Sequence, residues 1–411
     1  MRAFSTNVDG ISIQGELDRA FSPLLDAFIE NFRSRNELGA SLCVSVGRQV
    51  VLDIWGGHAD ADRTRTWASD TMSVVFSCTK AATALCAHLL IERGALELHA
   101  PVSRYWPEFA RNGKDQVTVA MMLNHTAGVP ALRETIKPGG YYDWDYMVER
   151  LAAEEPFWEP GTRNGYHMMT FGWTVGELVR RASGKSLGQF FQDEIATPLG
   201  IEFWIGLPEQ HEARTARMVA WRPKRGEPTT EFTRMLLADP QSLQARAFMN
   251  SGGHTADSRA AHAAELGAGG GITHARGLEG MYRPLANRGR NKEGRFIDPQ
   301  TIARMAQVVV ATPRDATLLI GTRFGLGFMK SMDNRHLGSP EMDSVILGER
   351  AFGHVGAGGS IGFADPECEL SFGYTMNRMG AGILLNPRGQ ALVDEAYRML
   401  GYRSNAPGVW M

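Results

Sequence analysis

Ser77-Cys78-Thr79-Lys80 is the segment of this 411-residue chain whose spacing most directly suggests chemistry. A serine and a lysine three positions apart at the opening of a helix lie on one face. The unsatisfied N–H groups and the positive dipole end of a first helical turn favour negative charge on the serine oxygen. A lysine one turn on can take or share the serine proton if burial lowers its pKa. Val74-Val75-Phe76 before the motif and Ala81-Ala82 after it suit burial. Alone, the pattern is equally met by an N-cap serine followed by an exposed lysine. The rest of the chain has to decide.

Two later segments supply what such a pair needs. Residues 158–172 read WEPGTRNGYHMMTFG: a Pro-Gly turn, then Tyr166, then Gly172 and a helix. Residues 353–360 read GHVGAGGS, with His354, Gly356 and Ala357 at a strand end. In this order the three segments resemble the serine-reactive superfamily of class C β-lactamases, penicillin-binding DD-peptidases and family VIII carboxylesterases. That family carries S-x-x-K, then a Tyr motif, then a K-T-G-like strand. Leu123-Asn124-His125-Thr126-Ala127-Gly128-Val129 is similar to the family's H-T-S-G-L loop and is read as structural.

The resemblance implies Ser77 as nucleophile, Lys80 and Tyr166 as its proton handlers, and the backbone amides of Ser77 and Ala357 as the oxyanion hole. A tyrosine beside a lysine ammonium would be held as phenolate and act as the base. His354 stands where the family has lysine and is expected to be a polar wall residue. Met168 stands where lactam-active members carry Asn. Both changes remove grips on a penicillin-like substrate, so the expectation is a serine carboxylesterase working through an acyl-enzyme. A β-lactamase, amide hydrolase or acyltransferase on the same fold is the alternative, and a non-catalytic binding module the third reading. Acyl transfer of this kind implies no metal and no organic cofactor.

Other patterns are weighed and set aside. Gly358-Gly359-Ser360-Ile361-Gly362 fits G-x-S-x-G, but a nucleophile elbow needs a helix after it, and the residues that follow read as strands. Gly267 to Gly271 lacks the ending of a phosphate loop and is read as a flexible turn. His254, His262 and His274 have no metal-like spacing and are read as surface or loop histidines. Trp144, Trp158, Trp204 and Trp221 are read as packing.

The elements that must position these residues follow from periodicity. Residues 16–36 read as an amphipathic helix with Leu17, Phe21, Leu24, Leu25, Phe28, Ile29 and Phe32 on one face. Strands are expected over 40–46 and 50–55, and helices over 77–92, 118–123, 170–183 and 273–287. Further strands are expected over 324–330, 351–354, 360–364 and 369–376, with a last helix over 389–400. The stretch 208–260 yields no assignment. Strands and a helix at both ends with a helical middle predict an α+β fold. An antiparallel sheet built from both termini (1–105 and 275–411) would be flanked by helices, with a mainly helical domain (106–274) inserted.

Lys plus Arg is 43 and Asp plus Glu 45, a net charge of −2 without the basic footprint of nucleic-acid binding. No apolar run approaches the ~20 residues of a membrane span. The four cysteines form no C-x-x-C pair, which argues against a zinc site or a disulfide framework. The N-terminal stretch has no apolar signal region, so a cytoplasmic protein acting on a small-molecule ester is expected, with homo-oligomerisation left open.

Overall fold

A computed structural model describes residues 1–222, 226–291 and 294–411. The chain opens with a hairpin that periodicity did not reveal. β1 (Arg2–Val8) and β2 (Ile11–Leu17) pair antiparallel around Asp9-Gly10, both with positive φ. Asp-Gly is the dipeptide such a turn prefers, because both central residues must enter the left-handed region. The expected helix over 16–36 is corrected accordingly. Leu17 ends a strand, and α1 runs only over Ser22–Ser34, burying Leu24, Phe28 and Phe32.

β3 (Gly39–Val46) and β4 (Gln49–Gly57) form the expected hairpin. From the other end of the chain come β5 (Phe352–Val355), β6 (Ile361–Asp365) and β7 (Leu370–Met376). Together they build one seven-stranded sheet in the order β1-β2-β4-β3-β7-β6-β5. The termini meet where β7 pairs antiparallel with β3, Tyr374 opposite Leu42. This is the α+β sheet expected of both chain ends, and β5 is its edge.

Side chains alternate across the pleat, so the two faces of β3 differ. Leu42 and Val44 join Phe28 of α1 and Leu392, Val393 and Tyr397 in one core. The last three belong to the C-terminal helix over Pro387–Met399. The opposite face is lined with small and polar residues, which lets the helix Ala275–Ala286 approach closely. There Gly373 leaves no room for a side chain, since a Cβ would stand 2.3 Å from the Ala275 carbonyl oxygen. Ser371 Oγ donates to Glu279 Oε1 of that helix at 2.6 Å.

α2 (Cys78–Glu92) is buried along nearly its whole length. Its alanines and leucines share one core with Phe171, Val175 and Leu178 of α3 (Thr170–Ser183), and with Leu278 and Met281 of the helix 275–286. The helices read at 118–123 and 170–183 are present. Within 208–260, residues 223–225 lie outside the described ones; helices form over Glu231–Ala238, Leu243–Phe248 and Arg259–Ala263.

The strand expected over 324–330 is corrected. The strand lies over Thr322–Phe324, and the chain then turns, Gly325 N donating to Phe328 O at 2.8 Å; of the rest, Met329 bridges to Gly353 at the sheet edge. Gly327 (φ +86°) permits this turn against α2: a Cβ there would meet Ala84 Cβ at 2.3 Å. Among the described residues no helix is long and apolar enough to cross a membrane.

Candidate active site

The start of α2 is built around an unusual residue. Phe76 holds φ = +44°, and Ser77 follows immediately. A bulky residue in the left-handed region costs on the order of 1–3 kcal/mol and persists only where its surroundings enforce it. Here Val75 N donates to Gly271 O at 2.9 Å, and Thr79 Oγ1 donates to Phe76 O at 2.5 Å. Ser77 occupies the N-cap position, yet its hydroxyl caps nothing. Lys80 is completely buried. A capping serine with a solvated lysine is therefore excluded.

Lys80 Nζ has three polar neighbours: Met168 O at 2.6 Å, Ala268 O at 2.9 Å and Ser77 Oγ at 3.2 Å. None is a carboxylate. Burial alone pushes the lysine well below its ordinary pKa. A neutral amine has two N–H bonds and one lone pair. In that form the two carbonyls would take the N–H groups and leave the lone pair for the Ser77 hydroxyl. The Ala268 carbonyl belongs to the glycine-rich segment 267–271, which forms the expected turn but is tethered. Thr83 Oγ1 donates to Gly267 O at 2.7 Å and Gly271 N donates to Thr79 Oγ1 at 2.8 Å, so the segment is a wall clamped to α2. Met168 also acts differently from expectation. Its side chain packs against the sheet core, and its carbonyl is what grips Lys80.

Tyr166 is held by its backbone and its ring. Its N–H donates to both oxygens of Asp315, at 3.0 and 3.1 Å. The ring stacks on Phe324 with centroids 5.8 Å apart and lies 4.9 Å from the His125 ring. Lys80 Nζ stands 4.8 Å from the Tyr166 centroid. Burial pushes the phenol far above its usual range. Ser77 beside it opposes this without forming a full hydrogen bond. For both groups burial favours the neutral form, against the direction of the expected ammonium–phenolate pair.

Asp315 was not legible in the sequence. It also accepts Thr317 N at 2.8 Å and Leu318 N at 2.9 Å, while burial raises it to about 6. Nothing near residue 315 marks it, since its role comes only from what folds onto it. The His125 loop is structural, as read. His125 Nδ1 accepts from His167 N at 3.2 Å. His167 in turn accepts from Val129 N at 3.1 Å through Nε2 and donates through Nδ1 to Gly165 O at 2.7 Å.

The end of β5 closes on the start of α2. Cys78 Sγ donates to His354 O at 3.2 Å. Gly356 passes so near that a Cβ would stand 2.2 Å from Val75 O. This approach carries Ala357 toward Ser77. Among the described residues, neither the Ser77 N–H nor the Ala357 N–H donates a hydrogen bond. His354 is buried, and burial holds it down to about 3. Its Nδ1–H donates to Val355 O at 2.7 Å.

The decoys fall elsewhere. Ser360 is buried and leads into β6, with no helix after it. The reading of the three histidines as surface or loop residues is corrected for two of them. His262 is buried with Nδ1 at 2.8 Å from Glu212 Oε1, and His274 is buried as the N-cap of the helix 275–286. His262 reaches 50 positions along the chain to Glu212, a pairing that spacing could not disclose. Trp144 and Trp158 pack with their indole N–H groups satisfied, whereas Trp221 is exposed. Among the described residues no group of three or more His, Cys, Asp or Glu converges to hold a metal ion.

Sheet, helical layers and crevice together define the β-lactamase/transpeptidase-like fold. A family model described as Beta-lactamase matches residues 17–394, and the chain belongs to that family. It is 33% identical over 374 residues, 90% of this chain and 84% of the other, to "Esterase/beta-lactamase LipL" of Mycobacterium tuberculosis (strain ATCC 25618 / H37Rv). A crystal structure of a family VIII carboxylesterase superposes with TM-score 0.82 at 38% identity, covering 94% of this chain and 99% of that one. A penicillin-binding protein homologue from Caulobacter crescentus gives TM-score 0.82 at 32% identity with the same coverage.

Proposed function

We propose that the protein is a serine carboxylesterase that cleaves its ester through an acyl-enzyme on Ser77. The observation that carries this reading is the Lys80 amine: desolvated, without a carboxylate partner, and with its N–H groups committed to Met168 O and Ala268 O. Its lone pair takes the Ser77 proton as Oγ attacks the ester carbonyl. Negative charge then develops on the carbonyl oxygen, for which the Ser77 and Ala357 amides are available donors. The Tyr166 hydroxyl protonates the departing alkoxide and recovers a proton from Lys80. Water then releases the acid.

A neutral His354 and the apolar side chain of Met168 offer no charge to a lactam carboxylate, which favours plain esters. The double name of the mycobacterial relative favours lactam hydrolysis as a second reading. A chromogenic cephalosporin turned over as fast as a short p-nitrophenyl ester would make it the first. For the ester reading, Ser77→Ala should lower p-nitrophenyl ester turnover at least ~10³-fold. A fluorophosphonate should add its mass to the peptide containing Ser77. Activity that survives Ser77→Ala but is lost in Ser360→Ala would overturn the assignment.

A further inference from the structure

Two buried polar atoms beside Lys80 have no hydrogen-bonding partner among the described residues: Tyr166 Oη and His354 Nε2. Their characters are complementary. Tyr166 is a protonated phenol whose hydroxyl can both give and receive a hydrogen bond. His354 can only receive one at Nε2, because its Nδ1–H is spent on Val355 O and the ring is neutral. The two rings lie 6.1 Å apart between centroids, beside Lys80. A buried lone pair of this kind is costly unless something donates to it. A carboxylate, ketone or ester oxygen cannot donate; an O–H group can.

We propose that Tyr166 Oη and His354 Nε2 together seat the water that attacks the acyl-enzyme, whereas an attacking alcohol would be held by Tyr166 Oη alone. This rests on the Ser77 acyl-enzyme reading above. The attacking oxygen forms its bond to the acyl carbon. One of its protons passes to Tyr166 Oη as Tyr166 hands its own proton to the Lys80 amine. When the bond from the acyl carbon to Ser77 Oγ breaks, Lys80 returns that proton to Oγ. In hydrolysis the second water proton stays on the oxygen, hydrogen-bonded to His354, and leaves on the acid. With an alcohol, the group bonded to carbon takes that second position and His354 has nothing to accept. His354 therefore favours water over an alcohol as acceptor and serves deacylation more than acylation.

Pre-steady-state kinetics with p-nitrophenyl acetate separate the two half-reactions. His354→Phe, which keeps a ring but removes the acceptor, should retain the burst of p-nitrophenol within about threefold. Its steady-state rate should fall roughly 10- to 100-fold, with acetylated Ser77 peptide accumulating in the mass spectrum. His354→Gln, which restores an acceptor oxygen, should recover most of the steady rate. His354→Leu gives the same test in a smaller side chain if the phenylalanine variant does not fold. Added methanol should capture a larger share of the acyl group in His354→Phe than in the parent. A burst and steady rate that fall together, or no accumulated acyl-enzyme, would overturn the proposal. Failure of fluorophosphonate to label Ser77 in the parent would overturn the ester reading itself, so the two failures are distinguishable.

Discussion

An amine without a counter-ion sets the chemistry at the scale of the residue. Lys80 is buried among two carbonyls and one hydroxyl, and its ordinary positive charge would be left unpaired there. Burial favours loss of the proton because the medium cannot solvate the charge. Arginine in its place stays protonated and has no lone pair to offer. Lys80→Arg should therefore reduce kcat for a p-nitrophenyl ester by ~10³ or more, even where the fold is intact by circular dichroism. The parent's kcat/KM should rise with pH through the lowered lysine pKa and hold above it, since only the free amine accepts the serine proton. A rate that falls as pH rises through neutrality would contradict this role. Ser77, Lys80 and Tyr166 were all legible as residue types in order. Their protonation states were not, because these depend on Met168 and Ala268, which lie 88 and 188 positions from the lysine.

At the scale of the element, the crevice depends on β5 lying almost in contact with the segment that leads into α2. Gly356 makes this contact possible, with its Cα facing the Val75 carbonyl. In Gly356→Ala a methyl group would have to sit 2.2 Å from that oxygen, so the strand end must move. On the proposed oxyanion pair, displacing Ala357 from Ser77 would remove the second amide. The expected result is a loss of kcat of about 10²-fold or more, the scale of removing one oxyanion donor, with KM changed far less. An unchanged kcat would show that Ala357 contributes nothing to the transition state. The core helices and the β3–β4 hairpin were legible, for their apolar spacing is local and strong. The β1–β2 hairpin was marked only by Asp9-Gly10, since its outer strand is half exposed and carries little periodic signal. The turn over 325–328 escaped because its apolar residues serve packing against α2 and not a strand.

Histidines placed in the interior connect the whole molecule to pH. His88, midway along α2, is fully buried and held down to about 4 by desolvation, with Nε2 at 2.9 Å from Leu326 O. Below pH 6.5 the unfolded chain protonates this residue while the folded chain does not. The unfolded state then binds more protons, and stability falls as pH falls. His88→Gln is neutral at every pH. Between pH 7 and pH 5 it should lose less stability than the parent, by on the order of 2 kcal/mol from a shift of that size. Urea denaturation at the two pH values measures this. Equal losses in parent and variant would mean that His88 is not held neutral by the fold. His125, His167 and His354 are also held down by burial and act in the same direction; Asp315 and Asp343, both raised to about 6, oppose them.

What the chain alone determined is whatever depends on near neighbours. A serine and a lysine one helical turn apart, apolar residues at helical or strand spacing, and turn residues between them act over a few positions, and a linear reading reaches them. The order of the three motifs was enough to identify the fold family. The tertiary structure decided the rest, because desolvation and unpaired hydrogen-bonding capacity are properties of a place in space and not of a stretch of chain. Only the folded protein buries Lys80 away from any carboxylate, recruits Asp315 to the Tyr166 N–H and leaves His354 Nε2 without a partner among the described residues.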